Sequence, residues 1–151
     1  SGDTVVVDIG GTMPDGYCSD STRMYALGEP SPQALAELEV LQQAQAAAVE
    51  AVRPGMTCEA IDAVARDVLA AAGLAEFFIH RTGHGIGLET HEEPYIIAGN
   101  SRVLEPGMAF SIEPGVYRAG SHGARIEDIV VCVEDGVLRC NNRPHELVIV
   151  A

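Results

Sequence analysis

Two segments with the composition of helices, residues 33–52 and 57–72, lie between regions rich in β-branched residues and glycine. The first segment is rich in Ala, Leu, Gln and Glu, and its apolar residues recur at helical spacing. Ser31 followed by Pro32 is a typical helix start, and Thr57 is placed to cap the second helix. An order of strands, two helices and further strands predicts an α+β fold.

The regions on either side of the helices are predicted to form antiparallel strands. Residues 4–9 read TVVVDI, a β-branched run typical of a buried strand, and residues 16–27 are predicted to pair with it as a hairpin. After the helices, short apolar segments are separated by Gly, Asp and Asn turns. These segments predict strands at residues 108–112, 116–117, 124–134, 137–139 and 146–150.

The charge and the cysteine pattern argue against several classes of function. Nine basic residues stand against 22 acidic ones, a formal net charge of -13. Such a surface repels phosphate, so neither nucleic acid nor an anionic membrane is an expected partner. The absence of a CxxC pair argues against a thiolate zinc site and favours free thiols in a reducing cytoplasm, the expected location. The cysteines are Cys18, Cys58, Cys132 and Cys140.

Two aspartates, Asp8 and Asp20, are candidates for a shared cation site. Asp8 ends an apolar strand run, where a carboxylate is costly to bury unless it is paired or bound to a cation. Taken alone, it is better explained as a turn or cap residue. If residues 4–9 and 16–27 form a hairpin, both carboxylates can point into one pocket. A divalent cation would then offset their mutual repulsion.

Three histidines, His80, His84 and His91, lie in a glycine-rich segment after the second helix. Each of them alone could be a hydrogen-bonded structural histidine. The interleaved glycines allow the backbone to approach a ligand closely, and they would break a helix, which excludes the HExxH pattern of helical zinc peptidases. Together, the histidines therefore indicate a site that is built on bent backbone.

Two glutamates complete the candidate set. Glu113 precedes Pro-Gly at a strand end, and a solvent-facing carboxylate explains it about as well as a metal ligand does. Glu127 lies in an otherwise apolar strand, where it is either a ligand or an exposed residue that pairs with Arg125. Four carboxylates with one imidazole form an oxygen-rich set, which suits Mn, Co or catalytic Zn rather than structural zinc.

Five sequence segments, in this order, resemble the catalytic domain of the metallopeptidase family that contains prolidase, aminopeptidase P and methionine aminopeptidase. The segments are VVVDIGG, GYCSDSTR, TGHGIGLETHEEP, FSIEPGVY and ARIEDIVV. The resemblance implies the pita-bread fold, in which two internally related α/β halves surround a curved antiparallel sheet. It also implies two divalent metal ions, with Mn expected and Co or Zn as alternatives. The ligands that it implies are Asp8, Asp20, His84, Glu113 and Glu127.

The motifs are similar to prolidase and aminopeptidase P, which implies hydrolysis of the N-terminal Xaa-Pro bond of dipeptides or short peptides by a hydroxide that bridges two metals. Glu113 is then expected to shuttle the proton, and His91 to donate a hydrogen bond to the oxyanion. His80 is expected as a further catalytic group, and His91 and Arg125 as substrate-binding residues. Several prolidases carry an arginine at the position of Tyr95, so strict dipeptide specificity stays open.

Two other functions are compatible with this resemblance. Methionine aminopeptidase is one, although the sequence RIED around Glu127 argues against it. The other is a non-catalytic binding module on the same fold, which the presence of all five ligand positions disfavours. In the two-metal peptidase site that the resemblance implies, Tyr17 and Thr22 are expected to orient the carboxylates, together with Arg125.

The resemblance begins at the strand of the first ligand, Asp8. It therefore predicts that residues 1–151 are the C-terminal part of a pita-bread catalytic domain, from which an upstream half-repeat and any N-terminal domain are absent. Whether such a fragment is active by itself stays open. A homodimer is the expected assembly, with a dipeptide or short peptide as the substrate.

Overall fold

The computed structural model describes residues 2–151 and shows two α-helices between two groups of strands. The first group contains β1 (Asp3–Asp8), β2 (Gly11–Thr12), β3 (Cys18–Ser19) and β4 (Thr22–Leu27). The helices are α1 (Pro32–Ala51), α2 (Cys58–Ala71) and a 3₁₀ helix (Ala75–Phe77). The second group contains β5 (Gly83–Gly85), β6 (Glu92–Ile96), β7 (Ala109–Ile112), β8 (Gly115–Arg118), β9 (His122–Arg125), β10 (Asp128–Val133), β11 (Gly136–Arg139) and β12 (Val148–Val150). This order confirms the predicted α+β class.

Both helices begin where the sequence predicts. Ser31 Oγ accepts a hydrogen bond from the backbone N–H of Ala34. Thr57 Oγ1 accepts one in the same way from Ala60, so each hydroxyl satisfies a backbone donor in the first turn of its helix. Between the helices, Gly55 has a φ of +90°, a left-handed conformation that glycine adopts without strain. The helix boundaries are therefore explained by local chemistry.

Two sheets position the candidate residues. The strands β11-β10-β7-β5-β6 form a five-stranded sheet, and β1-β4-β12 form a three-stranded sheet. β1 and β4 are antiparallel with Asp8 opposite Thr22, which confirms the predicted pairing. The two sheets meet where Thr22 and Glu127 form a backbone bridge with hydrogen bonds in both directions. This bridge brings the end of β1, the start of β4 and the start of β10 to one place.

Residues 124–134, which were predicted as one strand, belong to two strands. β9 pairs with β8 as a separate hairpin, whereas β10 pairs with β7. The chain changes partners between Arg125 and Asp128, and Glu127 makes its bridge to Thr22 at that point. The prediction was wrong because an apolar run in a sequence does not show which neighbour each half of the run pairs with.

The helices cover one face of the strands. The C-terminal half of α1 and the start of α2 pack against Phe110 and Val130 of the five-stranded sheet. The N-terminal half of α1 packs against Met24 of β4 and against the β8–β9 hairpin. Since side chains alternate along a strand, Ser111 and the Glu113 side chain that it contacts face away from this core. The candidate site therefore lies on the face opposite to the helices.

All four cysteines are free thiols, as the sequence predicts. Cys58 and Cys132 lie in the apolar core, where burial raises the pKa of both thiols. These two are therefore packing residues. In the described part of the chain, neither α-helix has the length and apolarity that a bilayer crossing requires.

Candidate metal centre

The five predicted ligands come from five different places in the chain and meet where the two sheets join. Asp8 ends β1, and Asp20 lies just before β4. His84 is the central residue of β5, Glu113 directly follows β7, and Glu127 directly precedes β10. The β1–β4 pairing and the bridge between the sheets bring these ends together, so the cluster is a product of the sheet topology.

The His84 imidazole lies at the centre of the cluster. Its Nε2 atom is 3.2 Å from Glu113 Oε1, 3.9 Å from Glu127 Oε1 and 4.0 Å from Asp20 Oδ2. Its Nδ1 atom is 3.0 Å from the carbonyl oxygen of Gly85. This contact assigns a proton to Nδ1, because a carbonyl can only accept, and leaves Nε2 facing the carboxylates. One ligand atom each of Asp20, His84 and Glu127 lie within 4.8 Å of one another.

Asp8 occupies the solvent-facing side of the cluster. Its side chain is 45% exposed and accepts a hydrogen bond of 2.6 Å from Nη2 of Arg125. It also contacts the Asp20 carboxyl group closely enough to raise the pKa of that group, although burial of Asp20 is the larger cause. All five predicted ligands therefore lie together, and their coordination of metal stays a prediction.

Burial and mutual repulsion hold the cluster in an electrostatically costly state. Burial raises the pKa of Glu127 to about 8, and the charges of Glu113 and Asp20 add to the effect. A hydrogen bond from Thr22 Oγ1 to Glu127 Oε2, 2.6 Å long, opposes it. A divalent cation would offset both the burial and the repulsion, so the donor set fits such an ion.

Glu113 differs from Asp20 and Glu127 because its pKa is lowered. Burial alone would raise its pKa, but contacts with His84 and the hydrogen bond from Ser111 Oγ, 3.0 Å long, hold the pKa below its usual value. The pKa of His84 is raised in return: burial would lower it, but the contacts with Glu113 and Gly85 outweigh burial. The pair therefore combines a carboxylate with a basic imidazole.

The two other predicted histidines flank the cluster. The His91 ring is exposed, and it lies edge-on to the His84 ring with 4.2 Å between centroids. Burial lowers the pKa of His80, and the charges of Arg125 and Arg81 act in the same direction. His80 is therefore a neutral imidazole at neutral pH, able to accept or donate one hydrogen bond at each nitrogen.

Tyr117 is a residue of the site that the sequence did not reveal. Its hydroxyl group is 3.1 Å from His80 Nε2 and accepts a hydrogen bond of 2.8 Å from Nη1 of Arg125. A Cβ on Gly115 would lie 2.5 Å from the Tyr117 oxygen and 2.9 Å from His80 Nε2, so this contact requires glycine. The signal in the sequence is the Gly-Val-Tyr order, since alternate residues of a strand share a face.

The residues predicted to orient the carboxylates behave differently from one another. Thr22 and Arg125 do so, through the hydrogen bonds to Glu127 and Asp8. Tyr17 does not: its side chain is 58% exposed and makes no hydrogen bond to any described residue. It lies in the turn between β2 and β3, directly before Cys18. The prediction for Tyr17 was therefore wrong.

A buried aspartate of α2 fixes the strand that carries His84. Asp62 Oδ1 accepts hydrogen bonds from the backbone N–H and the hydroxyl of Thr82, and its Oδ2 accepts one from Arg66 Nε. Arg66 in turn donates to the carbonyl of His80, and the Thr82 carbonyl accepts from the N–H of Glu113. The signal that could have identified Asp62 is its place on the apolar stripe of α2, where an unpaired carboxylate would be costly.

We expect Asp62→Asn to destabilise the protein by about 1–3 kcal/mol, because the amide can satisfy either Thr82 or Arg66 but not both with charge-assisted bonds. Urea unfolding monitored by circular dichroism measures the change. Asp67→Asn, an exposed position on the same helix, is the matched control and should shift the unfolding free energy by less than about 0.5 kcal/mol. Equal effects of the two variants would contradict the role of Asp62.

Comparison with known proteins places this geometry in one family. The model of metallopeptidase family M24 matches residues 1–134. The chain is 66% identical over 149 residues to a probable dipeptidase PepE of Mycobacterium tuberculosis, covering 99% of this chain and 40% of that protein. It is 54% identical over 132 residues to an Xaa-Pro dipeptidase of Lactobacillus helveticus, covering 87% of this chain and 36% of that protein.

Solved structures agree with this assignment. The crystal structure of dipeptidase PepE from Mycobacterium ulcerans superposes with a TM-score of 0.96 at 66% identity, over 99% of this chain and 40% of that one. The predicted pita-bread fold is thereby confirmed, and the chain spans about 40% of the length of the relatives that it matches. The cluster of Asp20, His84 and Glu127 lies within the matched residues. The chain belongs to metallopeptidase family M24.

Proposed function

We propose that the protein hydrolyses the N-terminal Xaa-Pro bond of dipeptides or short peptides with two divalent metal ions, of which Mn is the first candidate. The observation that carries the proposal is the convergence of three carboxylates on the Nε2 atom of one buried imidazole, with the Asp8 carboxylate beside that of Asp20. The family assignment supports peptide hydrolysis, and the name of the Lactobacillus relative supports the Xaa-Pro bond as its target.

The candidate ligands are Asp8, Asp20, His84, Glu113 and Glu127. Two bound cations would supply the charge that lowers the pKa of a water and polarises the scissile carbonyl. The donor set supports this because burial and repulsion penalise the uncompensated carboxylates, above all Glu127. The Gly85 carbonyl holds the His84 ring in the orientation that coordination requires.

Glu113 is the proposed proton shuttle. Its depressed pKa keeps it ionised at neutral pH, so it can take a proton from the attacking water and deliver it to the leaving nitrogen. When the residue after the bond is proline, this is an imino nitrogen that must gain a proton to leave. The Ser111 hydroxyl donates to Glu113 Oε1 and holds the carboxylate in place during both transfers.

His91 and His80 are proposed to act on the substrate from two sides. The exposed ring of His91 lies against His84, which allows it to donate a hydrogen bond to the developing oxyanion. His80 is the further catalytic group, held by Tyr117 and by the carbonyl of Arg81 at 2.7 Å from its Nδ1. Arg125 is the proposed substrate contact, through the face that its bonds to Asp8 and Tyr117 leave free.

The proposal includes a cytoplasmic homodimer. Free thiols at all four cysteines support a reducing compartment. Support for self-association comes from the edge strand β12, where Val148, Ile149 and Val150 are each about half exposed at 48%, 48% and 46%. Apolar side chains on an edge strand favour pairing with another chain.

The proposed function is tested by metal removal and restoration. The natural protein that contains this chain is treated with a chelator and assayed with Ala-Pro, Ala-Ala and Met-Ala, before and after addition of Mn²⁺. We expect hydrolysis only after Mn²⁺ addition, with Ala-Pro as the preferred substrate. Undiminished hydrolysis in the chelated protein would contradict metal dependence. Preference for Met-Ala would instead support a methionine aminopeptidase, and binding of Mn²⁺ without any hydrolysis would support a binding module.

A further inference from the structure

A cavity opens beside the metal-ligand cluster. It has a volume of about 250 Å³ and is lined by His80, Arg81, Glu113 and Arg125. Because burial and the neighbouring guanidiniums lower the pKa of His80, its imidazole is neutral at neutral pH. The positive charge of the cavity therefore comes from two arginines, in a chain whose formal net charge is -13.

One of these arginines is already engaged. Arg125 donates through Nη2 to Asp8 and through Nη1 to the hydroxyl of Tyr117. Its Nε lies 3.9 Å from Glu113 Oε2, beyond hydrogen-bond distance. The charge of Arg125 is thus largely compensated by Asp8 and Glu113, although its buried Nε, like that of Arg81, has no hydrogen-bond acceptor among the described residues.

The other arginine has no partner. Among residues 2–151, the Arg81 side chain makes no hydrogen bond and no ion pair, and its Nε atom is buried without an acceptor. Among the described residues, its guanidinium has one close aromatic neighbour, the Tyr95 ring, whose centroid is 5.4 Å from the guanidinium carbon. A buried donor without an acceptor is costly, and a guanidinium without a counterion is a site for an anion.

We propose that Arg81 binds the C-terminal carboxylate of a dipeptide substrate, an assignment that rests on the proposed peptidase function. Glu113, which would act at the scissile bond, lines the same cavity as Arg81. In a dipeptide, the carboxylate lies one residue beyond that bond, and one residue spans at most about 3.6 Å. When the scissile bond of a dipeptide lies at Glu113, its C-terminal carboxylate is therefore expected inside the cavity that Arg81 also lines.

The pairing of Arg81 with Tyr95 supports the same assignment. The ring bounds one side of the guanidinium, which restricts its motion without using its N–H donors. A planar guanidinium held in this way can present two parallel donors to a carboxylate. The consequence is a preference for dipeptides, because a longer or amidated substrate replaces the carboxylate by a neutral amide at this position.

Arg102 is the natural control. It lines a different cavity of about 460 Å³, which contains Asp20 and is bordered by Glu92 and Glu93. Like Arg81, it has no hydrogen bond or ion pair through its side chain among the described residues. Unlike Arg81, it is exposed, and its cavity carries three carboxylates that would repel an anion, against one in the Arg81 cavity. Both guanidiniums therefore lack an ion pair among the described residues, but they line different cavities.

The test compares Arg81→Gln, Arg81→Lys and Arg102→Gln in the natural protein, with Ala-Pro and alanyl-prolinamide as substrates. We expect Arg81→Gln to raise KM for Ala-Pro by about 10- to 100-fold and to abolish the preference over the amide. Arg81→Lys should restore part of the preference, since an ammonium supplies charge without the planar fork. Arg102→Gln should keep the wild-type preference for Ala-Pro over the amide.

The proposal would be overturned if Arg81→Gln kept the wild-type preference for Ala-Pro over alanyl-prolinamide. It would also be overturned if Arg102→Gln alone lost this preference. Calorimetric titration of the metal-free protein with both compounds separates this result from a failure of the proposed function. If no Xaa-Pro peptide is hydrolysed, the peptidase proposal fails. Tighter binding of Ala-Pro than of its amide would still support a carboxylate-binding role of Arg81, provided that Arg81→Gln removes the difference. Equal binding of the two compounds would overturn it. Thermal unfolding of each variant confirms that it is folded.

Discussion

Replacing Glu113 with Gln is expected to lower kcat for Ala-Pro by about 100- to 10,000-fold, the range typical of a lost general acid–base group. The amide cannot take up a proton, although it can still accept the hydrogen bond that the Ser111 hydroxyl donates. Of the three carboxylates around His84 Nε2, that of Glu113 lies nearest, at 3.2 Å, and its pKa is held below the usual value. Steady-state kinetics in Mn²⁺ buffer, with metal content measured on the same samples, gives the result.

The matched control for this prediction is Glu105→Gln, the same chemical change at an exposed position. It should leave kcat within about twofold of the wild-type value. Near-wild-type activity of Glu113→Gln with metal bound would contradict the proton-shuttle role. Loss of metal along with activity would instead show that coordination is the main contribution of Glu113, which would leave the shuttle to another group.

The parts of the fold that follow from local chemistry were predictable. The starts of both helices follow from Ser31 and Thr57, because a hydroxyl that caps a helix acts within three residues of itself. The pairing of β1 with β4 follows from a short connection between two apolar runs. The split between β9 and β10 was not predictable in this way, because it depends on Thr22, more than a hundred residues earlier in the chain.

The candidate site shows the same division. Its ionisable residues were predictable because Asp8 and Glu127 interrupt apolar runs and because the histidines lie among glycines. The supporting contacts were not, since Asp62 and Tyr117 look like ordinary residues until the strands are assembled. Tyr17 illustrates the reverse error, because nearness to Asp20 in the sequence does not determine the direction of a side chain.

The stability of the metal-free protein is expected to fall by roughly 2–4 kcal/mol between pH 5 and pH 8.5. The cause is the pKa of Glu127, which burial raises from 4.5 to about 8 in the folded state. A raised pKa in the folded state favours the protonated form, so its contribution is complete below pH 4.5 and is lost as the pH rises through 8. The raised pKa values of Asp20 and His84 act in the same direction.

The depressed pKa values of three carboxyl groups do not obscure this pH window, and the depressed pKa of His80 opposes the decline, because it adds stability as the pH rises through the usual histidine value of 6.5. The pKa values of Glu113, Glu37 and Asp128 lie below their usual range, so the stability that they contribute is lost only as the pH falls towards acid. Between pH 5 and 8.5 these carboxylates stay ionised in both the folded and the unfolded chain. A decline in stability within the window therefore reports on the metal-ligand cluster.

Urea unfolding of the 151-residue chain in EDTA, at half-unit pH steps, measures this decline. Glu127→Gln, which cannot ionise, should flatten the curve, whereas Glu105→Gln should leave it unchanged. Mn²⁺ should reverse the fall of the unfolding free energy with pH, because the cations bind only deprotonated carboxylates. At a Mn²⁺ concentration of 100 times its dissociation constant, binding adds about 2.7 kcal/mol to the unfolding free energy. A metal-free curve that is flat or rises between pH 5 and 8.5 would show that Glu127 is not buried among like charges, and the electrostatic case for a cation site would fail with it.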